Sequence, residues 1–301
     1  MIDLRRLHVL RAVSHYGTVT AAARALHFTP SAASQQIRQL ARDLGVDLLE
    51  PQGRGVRLTP AAESLLAHAD AIQARWEQAE LDLRADDGDP AGLLRVTGFP
   101  VAVSVLLAPM AVRLGERHPR LSVRIAEVGV PECFDLLFEG ETDLAVVEAT
   151  PRNPTLGDAR FDQQPLLDDP FDLVVPEGHA LAGRARVDLS EAAREPWIAP
   201  VADSPCRPHV MSACGAAGFT PDVVHHARDW NVTAHLVAHG LGVALVPRLA
   251  QLPPHLPIAR VRCTGNPHRK LLTCTRGGCK TRPAVAVALR ELRELATTAA
   301  A

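Results

Sequence analysis

A chain of 301 residues with 47 % apolar side chains is long enough to bury two or three packed domains. No run of 18 apolar residues occurs, and the amino terminus lacks a charged stretch followed by an apolar one. On these signals a soluble, cytoplasmic protein is expected.

The net charge of −2 is unevenly spread. Residues 1–60 hold eight Arg against four Asp and Glu, a balance of +4, which leaves −6 on residues 61–301. A basic end on an acidic body is the footprint of a domain that meets phosphate while the rest does not. The excess is small, so one such head binds modestly and two heads per site are expected.

Residues 18–58 carry the strongest pattern. Thr18 is placed to cap a short helix whose Ala21, Ala22, Ala23 and Ala25 allow close packing. Leu26 and Phe28 then offer apolar anchors at a turn. Thr29-Pro30 restarts a helix, with a hydroxyl cap followed by proline where no N–H is needed. Ala33, Ile37, Leu40 and Leu44 recur at helical spacing and face a core, which turns Ser31, Ala32, Ser34, Gln35 and Arg38 outward. Past Gly45, the run Gln52-Gly53-Arg54-Gly55-Val56-Arg57-Leu58 reads as a hairpin with glycines at its tip and Arg54 and Arg57 on its flank. This order presents one helix to the major groove and a basic wing to the phosphates. The predicted DNA-binding set is therefore Thr18, Thr29, Pro30, Ser31, Ala32, Ser34, Gln35, Arg38, Arg54 and Arg57.

From Ala62 onward, Leu65, Ala69, Ile72, Trp76, Ala79 and Leu83 alternate at spacings of three and four. That is a heptad seam, and it predicts a homodimer through paired linker helices. Asp86-Asp87-Gly88-Asp89-Pro90 reads as a hinge. The expected organisation is a DNA-binding domain over 1–58, a linker helix and hinge over 59–89, and a ligand domain over 90–301.

The ligand domain alternates predicted strands (93–97, 122–128, 143–147) with helices (101–116, 131–139), which implies a parallel sheet with right-handed crossovers. A second set follows, with strands at 171–175, 223–226 and 243–247 and helices at 206–217 and 229–239. The chain then returns through a strand at 270–274 and a helix near 282–296. The fold class is α/β, with two lobes: lobe I about 90–163 and 268–301, lobe II about 164–267. Ligands of such sheets bind in the crevice at the carboxyl ends of the strands.

No nucleophile elbow, phosphate-cradling glycine loop or H-E-x-x-H helix occurs, so catalysis is not expected and no catalytic residue is assigned. His235 and His239 sit four apart with His225 and His226 nearby, which opens a metal-sensing alternative. Six cysteines, at 133, 206, 214, 263, 274 and 279, open a redox alternative, with Cys274 and Cys279 spaced C-x4-C. The simpler expectation assigns no metal and no cofactor, only a small-molecule effector.

Several segments together resemble the LysR-type transcriptional regulators along essentially the whole chain. They are LRRLHVLRAVSHYGTVTAAARALHFTPSAASQQIRQLARDLG, RGVRLTPAAESLL, LLRVTGF, GETDLAVV and LVAHGLGVALVPR. The resemblance implies a winged helix-turn-helix, a dimerising linker helix and a two-lobed effector domain like a periplasmic binding protein. It further implies tetramers and interrupted inverted repeats near promoters, and leaves contact with RNA polymerase open. The chain departs from the family's habit at Leu49 (often Phe), Pro51 (often Arg), Ala41 (often Glu) and near Ala62 (usually Gly). Pro51 removes a phosphate contact, so wing affinity is where a difference is expected.

By position, Thr97, Gly98, Phe99, Pro100 and Val101 at the first strand's turn should meet the cleft, where backbone N–H groups can hold an anion. Facing them are Gly129, Glu148, Asp203, Ser204, Arg207, Asn231 and Val246. Ser204, Arg207 and Asn231 are expected to be the polar discriminators, and Phe99 a wall. Glu148 and Asp203 favour a cationic or hydroxylated ligand over a simple anion.

Overall fold

The structure, a computed structural model, describes residues 4–52, 55–66, 68, 69, 72, 90–151, 153–158 and 160–300. The chain divides into two units, Met1–Leu83 and Arg84–Ala301.

In the first unit, α1 (Leu4–Tyr16), α2 (Val19–Ala25) and α3 (Pro30–Leu44) pack around Leu10, Val13, Ala22, Ala33, Ile37 and Leu40. Both predicted caps form: the Thr18 hydroxyl accepts the Ala21 N–H at 3.1 Å and the Thr29 hydroxyl accepts that of Ala32 at 3.2 Å. Gly45 ends α3 in the left-handed region at φ 67°, where a Cβ would be strained. Thr29→Ala is expected to lower the head's stability by about 1 kcal/mol, read from its urea midpoint. Phe28 departs from its expected anchoring role, for its side chain remains 48 % exposed while Leu26 packs on the core.

Strands β1 (Leu49–Gln52) and β2 (Gly55–Leu58) pair antiparallel, with Gln52 opposite Gly55. Leu49, Val56 and Leu58 pack on the helical core, so Leu49 serves as the plug at that position. Residues 60–66 form α4, and 68, 69 and 72 are also helical. Ala62, Leu66 and Ala69 are buried in the head's own core. Ala69, a predicted seam residue, is thus already covered within its own chain, whereas Ile72 is 63 % exposed. Leu65 is half-buried against the same core. Trp76, Ala79 and Leu83 of the predicted seam, with the 86–90 hinge, lie outside the described residues apart from Pro90.

In the second unit, β3 (Gly92–Gly98) pairs in parallel with β4 (Leu121–Glu127) and β5 (Leu144–Glu148). Between β3 and β4 runs α5, residues 100–117, which contains one π turn at Val103–Leu107. α6 (Val130–Glu139) covers the sheet with α9 (Pro283–Ala300), and Leu107, Met110, Leu137, Val285 and Leu292 fill the space between. The parallel arrangement expected of lobe I holds for these three strands; β12 (His268–Arg276) then joins β5 antiparallel.

The predicted strand at 171–175 is the second half of a longer one. β6 (Phe161–Pro176) runs unbroken through both lobes, pairing with β12 from Phe161 to Pro170 and then with β10 (Ala244–Pro247) and β11 (Ile258–Cys263). The eight-stranded sheet is therefore continuous between the lobes. Interruption by Pro165 and Pro170, with acidic Asp168 and Asp169, hid the strand's first half from a hydropathy reading. Lobe II adds β7 (Arg186–Val187), a 3-10 turn at Leu189–Ala192, and the parallel pair β8 (Pro196–Pro200) and β9 (Asp222–Ala227). α7 (Cys206–Ala216) and α8 (Trp230–Ala238) complete it. Its own core gathers Phe171, Leu173, Trp197, Val210, Cys214 and Leu245.

Candidate nucleic-acid interface and effector centre

On α3, Ser31, Gln35 and Arg38 are exposed and spaced four and three apart, so they share one face. Ala32 and Ser34 beside them are half-buried, and exposed Gln36 is a further polar group that pattern reading passed over. Thr29 and Ser31 hydroxyls lie 3.1 Å apart at the helix start, and Pro30 is exposed there. Thr18, like Thr29, accepts a cap N–H through its hydroxyl. Across the hairpin Arg57 donates to Glu50 at 2.6 Å, and this hydrogen bond pushes the Arg57 pKa upward. The pair is solvent-exposed, so it costs little to exchange Glu50 for a phosphate. Arg54 lies outside the described residues.

The second site is a buried charge cluster where the lobes meet. Arg269 on β12 is the register partner of Asp169 on β6. Its guanidinium donates to Asp169 Oδ2 at 2.9 Å and to Glu148 Oε2, at the carboxyl end of β5, at 3.1 Å. All three side chains are at most 2 % exposed. Arg269 also lies over the Phe99 ring, 5.0 Å from its centroid. From α7, the Cys206 sulfur accepts from Arg269 at 3.4 Å while its thiol faces Glu148 Oε2 at 3.6 Å. His209 Nε2, one turn along, sits 2.9 Å from Glu148 Oε1. Lobe I thus supplies Phe99 and Glu148, the crossing strands Arg269 and Asp169, and lobe II Cys206 and His209.

Burial pushes the Glu148 carboxyl up, but the His209 hydrogen bond and the Arg269 charge outweigh it and hold the group below the usual carboxylate range. Burial prevails over Arg269 at Asp169 and leaves that carboxyl above its ordinary value. Burial likewise drives the Cys206 thiol up to about 12. A carboxyl held low in the fold adds stability above its unfolded pKa, about 4.3 for Glu, and loses it as pH falls through the folded value. Asp169 works with the opposite sign, its charge costing stability at neutral pH and protonation relieving it. Glu148→Gln is therefore expected to flatten the loss of stability below about pH 4.3, seen in urea midpoints taken toward pH 3; an unchanged acid slope would contradict this.

Of the residues expected at the cleft, Phe99 and Glu148 join this cluster. Thr97 is buried in lobe I near Cys133, Val101 and Val246 are buried in the same core, and Gly98 packs under Leu107. Pro100 and Gly129 are exposed as the first residue of α5 and the cap of α6. The expected discriminators lie in lobe II. Ser204 accepts the Cys206 N–H at 3.3 Å, and Arg207 donates to the Pro200 carbonyl at 2.7 Å and lies 3.2 Å from His226 Nδ1. Asn231 gives its N–H to the Asp229 cap, and Asp203 forms an exposed pair with Arg228. Arg269, Asp169 and His209 went unforeseen; the available signal was an isolated Arg at an inward position of β12.

His235 and His239 are exposed, and the His239 ring bonds the His235 carbonyl at 2.7 Å as a helix end cap. No group of three or more metal-ligating side chains occurs among the described residues. Cys274 and Cys279 are buried free thiols.

Residues 4–63 match the bacterial regulatory helix-turn-helix protein, lysR family, and residues 87–297 match the LysR substrate binding domain. The chain belongs to the LysR family. It is a DNA-binding transcriptional regulator with an effector-binding domain. The HTH-type transcriptional regulator AlsR of Bacillus subtilis is 27 % identical over 83 % of this chain and 82 % of its own length. A probable hydrogen peroxide-inducible genes activator of Mycobacterium avium is 32 % identical over 81 % of this chain and 77 % of its own. Among solved structures, a Corynebacterium glutamicum OxyR C206 mutant superposes with a TM-score of 0.62 at 23 % identity, over 99 % of this chain and 95 % of that one. Full-length CbnR in complex with its target DNA gives 0.57 at 22 %, over 98 % and 100 %. No described helix is long and apolar enough to cross a membrane.

Proposed function

We propose that this LysR-family chain is a cytoplasmic, non-catalytic regulator that grips promoter DNA as a dimer or tetramer. The α3 face carries the contact with bases, and the interlobe cluster is the point at which a small molecule changes the grip. What supports this reading is Arg269, held between carboxylates at the meeting of the two lobes. A ligand that bonds Arg269 or Glu148 must exchange an internal contact for its own, and the lobes move with that exchange. Arg38→Ala is expected to weaken promoter binding by about 1–3 kcal/mol in gel-shift titrations, and Arg54→Ala/Arg57→Ala to do so on every sequence; unchanged affinity in both would sink the assignment. Glu148→Gln tests the control point, with a shifted DNase footprint expected and an unmoved footprint and affinity counting against it.

A second reading has its own observation, the Cys206 sulfur against the Arg269 guanidinium at 3.4 Å. The relative from Mycobacterium avium is named a probable hydrogen peroxide-inducible genes activator. In this reading the Cys206 sulfur attacks a peroxide oxygen beside the Arg269 guanidinium, the O–O bond breaks, and the thiol proton passes to the leaving hydroxide, so that water and a sulfenic acid result. Cys214, eight residues on along α7, is about 12 Å away along the helix axis, too far for a disulfide without unwinding. Sulfenic-acid trapping of peroxide-treated protein checks it; labelling that survives Cys206→Ser would exclude Cys206.

A further inference from the structure

Beside α7 lies a groove of about 410 Å³, outside the interlobe cluster but sharing one wall with it. That wall is His209. Its Nε2 is committed to Glu148 at 2.9 Å and its ring stacks on Phe171 at 6.0 Å, which leaves Nδ1 as the ring atom for a ligand. His268 lines the same groove, with its Nδ1 3.1 Å from the Asn266 carbonyl and Nε2 uncommitted to that contact. Ser212 adds a hydroxyl, and Ala213, Ala216 and Ala217 an apolar side. The carboxylate of the lining, Asp188, is occupied: it accepts from the Ser190 N–H at 2.9 Å, the Ser190 hydroxyl at 2.7 Å and the Thr264 hydroxyl at 3.2 Å. The volume suits a small ligand rather than a macromolecule.

We propose that this groove is a second ligand site, taking a small monocarboxylate, and that His209 reports its occupancy to the interlobe cluster. The reporting half rests on the reading of that cluster as the control point. A carboxylate beside His209 draws a solvent proton onto Nδ1, so an imidazolium forms between the ligand and Glu148. Glu148 from β5 touches that ring, His268 from β12 and Asp188 ahead of the 3-10 turn line its groove, and Arg269 from β12 and Cys206 from α7 bond the same Glu148. An imidazolium holds Glu148 more firmly and loosens its share in Arg269.

The test is calorimetry on the full chain with phenylacetate, using phenylacetamide as the uncharged match. Saturable phenylacetate binding is expected on the wild-type chain, with no saturable heat from phenylacetamide. Ser212→Trp, which fills the groove from an exposed position, should abolish it, with Ala216→Trp as the second variant should the first misfold. Equal binding to either folded variant, equal binding of the amide, or no heat at about 10 mM ligand overturns the site. Saturable binding that leaves the wild-type footprint unmoved overturns the reporting role. Failure of the control point itself would appear separately, as a Glu148→Gln footprint identical to the wild type.

Discussion

Arg269→Met is expected to cost the effector domain about 3–5 kcal/mol, because it removes one cation and leaves two buried carboxylates uncompensated. Glu148 would keep His209, and Asp169 would keep the Leu249 N–H at 3.0 Å but no neutralising partner from Arg269. At about 2–4 °C per kcal/mol for a domain of this size, the thermal midpoint should drop by roughly 6–20 °C. Asp169 already resists ionisation through burial, so the variant is expected to recover part of its loss on acidification as that group takes a proton. Adding Asp169→Asn should rescue stability for the same reason, since it deletes the stranded charge. A midpoint within about 2 °C of wild type would show that the cluster is solvated in solution and that Arg269 does not join the lobes.

The DNA-binding head was legible because its signals are local. A hydroxyl, a proline and a glycine each act within a turn of where they stand, so Thr18, Thr29, Pro30 and Gly45 announce helix ends without tertiary knowledge. Ala69 shows the limit of that method. Its heptad spacing is equally that of a helix packed on its own domain, and Ala62, Leu66 and Ala69 take the second option. The interlobe cluster was legible only in part. Phe99 and Glu148 lie at strand ends, where topology places ligands. Their partners come from far along the chain, with Arg269 separated from Glu148 by 121 positions and from Asp169 by 100. No periodicity encodes such a pairing. Ser204 and Arg207, expected as discriminators, bond backbone groups of lobe II, and the Asp229 carboxylate takes the Asn231 backbone N–H.

The three hydrophobic clusters separate along the same lines as function, and that separation gives the remaining large effect. Trp197 fills lobe II at 0 % exposure, packs against Phe219 with ring centroids 5.7 Å apart, and donates its indole N–H to the Ala192 carbonyl at 3.0 Å. Trp197→Ala removes the ring, opens a cavity and strands that carbonyl, a loss of about 3–5 kcal/mol. Gly242 gives the surrounding backbone no room to close over it. At φ 149° its own Cβ position falls 2.4 Å from the Pro196 carbonyl oxygen, so the two segments already touch. Val210 and Cys214 of α7 share this core, so the cavity loosens the helix that carries Cys206 and His209 into the interlobe cluster. Among the described residues the head's core shares none with it. Differential scanning calorimetry should therefore show the effector-domain transition falling alone, while the isolated binding face of α3 keeps its promoter affinity below the new midpoint. A joint fall of both transitions would mean that the two units melt as one, and that lobe II reaches DNA through stability rather than through the cluster.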